Sequence, residues 1–225
     1  MNKFAAALAA LSISGLAHAV DYNLVLTFDG ATACGASACA NYDQVSQSYG
    51  DDLNGNFSYF NVNTPGESLK YWAADYNDLT DVAWTAGGDG SSRGRIEVEI
   101  TDAEAITLNG FDFGAFNRTT RSTHIRVYQI DSDGDFLPAW GYDGDVGSGS
   151  THTSFIALGI TANAERPGLA IEWWDSAYNV GIDNVSFTVK AAVAPVPEPE
   201  TYAMMLAGLG LLGLVARRRQ RKPTV

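Results

Sequence analysis

The chain has 225 residues, 46% of them hydrophobic, with 26 acidic against 14 basic side chains and a formal charge of −12 at pH 7. Setting aside Lys3, Glu198, Glu200 and the five cations that follow Ala216 leaves 8 basic and 24 acidic residues between 20 and 195, a net charge of −16. A body so acidic lacks the cations that displace phosphate counterions, which excludes nucleic acid and anionic membrane surfaces as its partners.

The start, MNKFAAALAALSISGLAHAV, places one cation before an apolar run from Phe4 to Leu16 and then small residues at Ala17 and Ala19. That order predicts a helical secretory signal peptide over residues 1–19, cut after Ala19, rather than a buried helix, because the run has no polar face. Export sets an oxidising context for Cys34 and Cys39, the two cysteines of the chain. An even count there favours a disulfide over zinc, for which only the distant His124 and His152 could complete a ligand set.

The body, residues 20–190, is long enough for one domain with its own core. Its middle reads as strands. In RIEVEI, Ile96, Val98 and Ile100 alternate with Arg95, Glu97 and Glu99, and THIRVYQI, GLAIEWW and VSFTV repeat the pattern. Between them lie turn-forming clusters such as DGSSRGR, DSDGD, GYDGDVGSGS and DSAYN. Short alternating strands joined in this way predict an all-β antiparallel sandwich, with a jelly roll as the specific winding.

Three chemistries compete within that body. Asp131, Asp133 and Asp135 resemble the start of a calcium loop, but Phe136 and Tyr142 stand where such a loop needs glycine and glutamate, so a hairpin turn is the better account. For sugar binding, alternation in IEWWDS sends Trp173 inward and Trp174 outward beside Glu172. Trp140 and Tyr142 near a loop are further candidate platforms, while Trp72 and Trp84 are expected in the core. Glu97 and Glu99 share a strand face and could form a glycosidase pair, yet an amphipathic strand places such a pair in solvent. With no nucleophile or metalloprotease motif, the chain reads as a non-enzyme.

The ends of the body add a resemblance. LVLTFDG (24–30) and VGIDNVSFTV (180–189) are similar to the first and last strands of many jelly-roll modules, carbohydrate-binding ones included. The resemblance implies a structural calcium ion shared by Asp29 and Asp183, a hard cation that takes carboxylate and carbonyl oxygens. The alternative is that Asp183 caps a strand or bonds a turn.

The tail begins with a Pro/Glu linker over 191–200. Tyr202–Ala216 then runs fifteen residues without a charge, and Arg217, Arg218, Arg219, Arg221 and Lys222 follow. The expectation is a single transmembrane helix over 201–216 with a basic cytoplasmic tail over 217–225. At about 22 Å it is shorter than a hydrocarbon core of roughly 30 Å, which suits a temporary anchor. Val196, Pro197, Glu198 and Pro199, the apolar span and the arginine cluster resemble the PEP-CTERM sorting signal of exported proteins in exopolysaccharide-making Gram-negative bacteria. That resemblance implies an exosortase as processing partner, transient residence in the inner membrane and a final place at the cell surface or outside the cell. The implied role is structural or adhesive, in an exopolysaccharide or biofilm matrix. The alternative is a carbohydrate-binding module with structural calcium, and a glycoside-active enzyme ranks behind both.

Overall fold

The structure, a computed structural model, describes residues 20–88, 90–192 and 199–220. The expected signal peptide and most of the sorting motif, Val196 to Glu198, lie outside the described residues. The chain divides into two compact units, one of them the body from Ala19 to Ala192 and the other containing the C-terminal tail.

The body is an antiparallel sandwich of two sheets. In chain order the strands are β1 (Tyr22–Leu26), β2 (Gly55–Asn61), β3 (Lys70–Trp72), β4 (Val82–Trp84), β5 (Ser92–Ile100) and β6 (Ala103–Ala115). They continue with β7 (Arg121–Ile130), β8 (Phe136–Val146), β9 (Thr153–Phe155), β10 (Ile160–Asn163), β11 (Gly168–Asp175) and β12 (Val180–Ala191). One sheet runs β10-β6-β12-β4-β3, with β1 added on β12 and β9 on β6; the other runs β2-β5-β11-β7-β8.

The alternation read from the sequence sets which side chains meet between the layers. Ile96 and Val98 of β5, Ile125 and Val127 of β7, and Ile171 and Trp173 of β11 are buried against Phe113, Ile182 and Phe187 of the facing sheet. Trp173 donates from Nε1 to the Val180 carbonyl at 3.1 Å. Its ring lies so close to β5 that a Cβ added at Gly94 would stand 2.6 Å from it, so glycine is required there by packing. The DSDGD segment is the β7–β8 turn. Asp131 Oδ1 accepts from the amides of Asp133 and Asp135 at 3.0 and 2.9 Å, and Gly134 takes the positive φ of 86°.

One sequence expectation needs correction. Residues 141–146 of the GYDGDVGSGS cluster are not a turn but the end of β8, paired with β7 from Arg121↔Val146 to Arg126↔Gly141. The tail forms one α-helix, α1 (Pro199–Gln220), of 22 residues, and no described helix is long and apolar enough to cross a membrane. The segment 201–216 lies within α1; its uncharged run is short, three glycines dilute it, and the helix continues into the arginines.

Candidate functional site

Two surfaces of the body gather the chemistry. The first is built where the terminal strands meet. β1 pairs with β12 up to Leu26↔Val185, so the chain just beyond β1 comes alongside Asp183. β12 also breaks register with β6 between Asp183 and Ser186, and Asn184 takes a positive φ of 51°. A bulge of this kind re-aims a side chain, and here it accompanies a buried acid. Asp183 is 5% exposed, and its Oδ1 accepts the Asn184 amide at 2.7 Å. It sits directly across from Asp112 of β6.

Thr27, Asp29, Asp78, Leu79, Thr80, Asp81, His152, Asp183 and Asn184 line one open cavity of about 490 Å³. Burial pushes the Asp183 carboxyl up to about 8; the Asn184 amide works against this, and the Asp112 and Asp81 charges add to it. His152 closes one side, its Nδ1 2.8 Å from Asp78 Oδ1 and its Nε2 3.7 Å from Asp112 Oδ2. Burial alone would raise the Asp78 carboxyl, but the side-chain and backbone hydrogen bonds from His152 outweigh it and hold the group below the usual range. Asp81 accepts the Tyr71 hydroxyl, and Asp29 Oδ1 accepts the Ala31 amide at 2.8 Å. Shortly beyond Asp29, Cys34 and Cys39 form a disulfide with Cα atoms 5.4 Å apart, so neither cysteine is available to zinc.

Asp29 and Asp183, far apart in sequence, thus share a cavity. Asp78, Asp81, Asp112 and His152 around them carry no sequence pattern; Asp112 comes from β6, and the other three from the segments between β3 and β4 and between β8 and β9. Among the described residues no three acidic, His or Cys side chains stand as a ready ligand set for a metal ion.

The second surface is the outer face of the five-stranded sheet. Glu172 lies at its centre, 3% exposed, accepting from Arg93 Nε at 2.9 Å and from Arg95 Nη1 at 3.4 Å. Trp174, two residues on, pairs across to Arg93 on β5 and to His124 on β7. The His124 ring stacks on the indole at 5.3 Å and 7°, while the Arg93 and Arg126 guanidinium carbons lie 4.9 and 5.4 Å from its centroid. Groups from both neighbouring strands thus flank the indole, which is half-buried. Arg126 grips Asp143 through both terminal nitrogens at 2.7 and 2.9 Å. Arg95 covers Phe60 and Phe136, and Tyr128 meets Phe136 edge-on at 5.6 Å.

Glu97 is half-buried and paired with Arg95 at 2.7 Å, whereas Glu99 is exposed. Burial raises the Glu97 carboxyl, Arg95 opposes this, and Glu172 and Glu99 add to it. Trp140 and Tyr142 belong to the opposite face. Their partners on β7 are the buried Val127 and Ile125, and both rings pack on Phe155 at 5.3 and 4.9 Å. The three aromatic candidates therefore do not form one site.

The tail decides a different question. Residues 195–220 match the family model described as the PEP-CTERM protein-sorting motif. The chain carries a PEP-CTERM sorting motif. Within it Pro199 opens α1, where its missing amide hydrogen costs nothing, and Arg217 is exposed near the helix end. No curated protein sequence matches the chain. Among solved structures, the body resembles the K1 cleaved adhesin domain of Lys-gingipain from Porphyromonas gingivalis W83. That match has 13% identity and a TM-score of 0.45, over 76% of this chain and 99% of that one. It also resembles the CBM22-1 xylan-binding domain of Xyn10C from Paenibacillus barcinonensis, at 10% identity and a TM-score of 0.41, over 75% and 95% of the two chains.

Proposed function

We propose that this is an exported protein whose PEP-CTERM tail is cut by an exosortase-type transpeptidase, leaving the β-sandwich at the cell surface in contact with exopolysaccharide. The matched motif carries the reading. A Pro-Glu-Pro triplet at 197–199 stands before a helix whose uncharged run, bounded by arginines, is too short to hold the protein in lipid for long. The cations would stay on the cytoplasmic side and present the triplet outside, where a membrane-embedded enzyme can read it. Mass spectrometry of the protein from its native host tests this. A C-terminus ending near residue 199 supports the reading, and an intact Val225 on a cytosolic protein overturns it.

For the polysaccharide contact, the outer sheet face carries aromatic rings at Trp174, Tyr128, Phe60 and Phe136 with guanidinium and carboxylate groups between them. Glu172 and Glu97 are engaged by arginines, which suits holding a ligand better than hydrolysing one. Saturable binding of residues 20–192 on a glycan array, lost in Trp174→Ala, supports a glycan-binding role. No binding to any polysaccharide leaves a structural or adhesive role through neighbouring surface proteins.

We also propose that a structural calcium ion is held in the cavity at Asp29 and Asp183. Its carboxylates are hard oxygen donors of the type this ion takes, and the buried Asp183 would gain a counter-charge. The ion would have to draw these side chains together, and once bound it would tie the two terminal strands. A melting temperature unchanged by chelator counts against it.

A further inference from the structure

A third surface lies at the β3 edge of the larger sheet, away from Trp174, and owes nothing to the glycan reading. Tyr42, Trp72, Tyr76, Trp84, Phe116 and Tyr178 wall a small pocket there, with Asn179 at its side. The rings stand close together, Tyr42 to Trp72 at 5.0 Å, Trp84 to Tyr178 at 5.3 Å and Tyr76 to Phe116 at 5.4 Å. Trp84 and Tyr76 are buried, Trp72, Phe116 and Tyr178 half-buried, and Tyr42 is 56% exposed at the mouth. Tyr76 and Trp84 belong to a small core cluster on which Trp72, Phe116 and Tyr178 pack, and Tyr42 completes the wall from outside it.

The loops that bring them together are held in an unusual backbone state. Tyr42, Asp75, Asn77, Asp81, Asn117 and Arg118 all take positive φ, between 53° and 76°. For a bulky residue such as Tyr42 that conformation is an outlier, kept only where its surroundings enforce it, and such outliers gather at ligand clamps.

Size and charge narrow the occupant. The pocket holds about 40 Å³ where one water needs roughly 10–15 Å³, so it takes a group of a few heavy atoms and not a pyranose ring. Ring faces and phenol oxygens offer partial negative charge, and the surrounding body carries a net −16. Arg118 is drawn off to Asp75 at 3.5 Å and does not enter the lining. We propose that this pocket binds a small organic cation of the N-methylated ammonium class, with the methyl groups filling the aromatic box and the charge against the rings.

Choline chloride and its neutral isostere 3,3-dimethylbutan-1-ol test the proposal by calorimetric titration into the full-length protein at fixed ionic strength. Choline should bind saturably and about ten-fold more tightly than the alcohol. Tyr42→Gly removes the outermost wall while accepting its positive φ, so the fold persists and choline affinity should fall about ten-fold. Equal affinity for the two probes would reduce the site to an apolar hole. That result, the absence of saturable choline binding, or unchanged affinity in Tyr42→Gly would each overturn the proposal.

Discussion

Asp183 gives the body a pH dependence that one substitution should abolish. Its carboxyl rises from 3.8 to about 8 because burial penalises the charge and Asp112 stands opposite. A carboxyl whose folded value lies above its unfolded one takes up a proton on folding between the two. Its contribution is therefore complete below about pH 4 and is lost as pH rises through about 8. At 1.36 kcal/mol per unit the loss cannot exceed about 6 kcal/mol. Of that, the part falling between pH 5.5 and about 8 is about 3 kcal/mol. Asp183→Asn keeps the shape and the oxygen that accepts the Asn184 amide but cannot ionise. In chelator, urea unfolding across that range should show wild type losing stability while the variant stays level, the gap between them widening by about 3 kcal/mol from pH 5.5 to pH 9. Parallel curves for the two proteins would refute the argument, since the dependence would then belong to other groups.

Other outcomes follow from the packing and the tail. Gly94→Ala drives a methyl into Trp173 and should cost about 1–3 kcal/mol in a urea melt, with no effect on the Asp183 pH profile. Replacing both Cys34 and Cys39 by serine should cost about 2 kcal/mol, read as a lower melting temperature. Glu172→Ala leaves Arg93 and Arg95 without their shared acceptor. A loss of about 2 kcal/mol is expected, with His124 and Trp174 resonances shifting in NMR spectra as the guanidinium over the indole is freed. Millimolar calcium should raise the melting temperature of the wild type and not that of Asp183→Asn; an equal rise in both would remove Asp183 from the ion's ligands.

Strands with strict alternation were legible because their two faces meet different solvents. β5, β7 and β11 all showed this, and the inward turn of Trp173 followed from it. β6 and β8 were hidden by glycine, which reads as a turn. In β6, Gly110 and Gly114 are there because the Phe155 and Tyr76 carbonyls come within 2.4 and 2.3 Å of where a Cβ would be. In β8, Gly141 makes room for Arg126. These glycines answer to neighbours distant in sequence, so no local pattern could separate them from turn glycines. The same holds for Trp140 and Tyr142, whose flanking Gly and Asp residues suggest a loop although pairing with β7 turns both rings toward Phe155.

By itself the sequence determined what depends on neighbours along the chain: the sorting motif, the shortness of the apolar run, the acidic body and the period-two strands. Tertiary structure decided what depends on neighbours across it. Pairing of β1 and β6 with β12 assembles the acidic cavity, flanking strands cover the Trp174 indole, and loops from four places in the chain close the aromatic pocket. The division has one cause: a side chain's charge, exposure and partners are set by distance in space, and in a sheet sandwich most short distances join residues far apart in sequence.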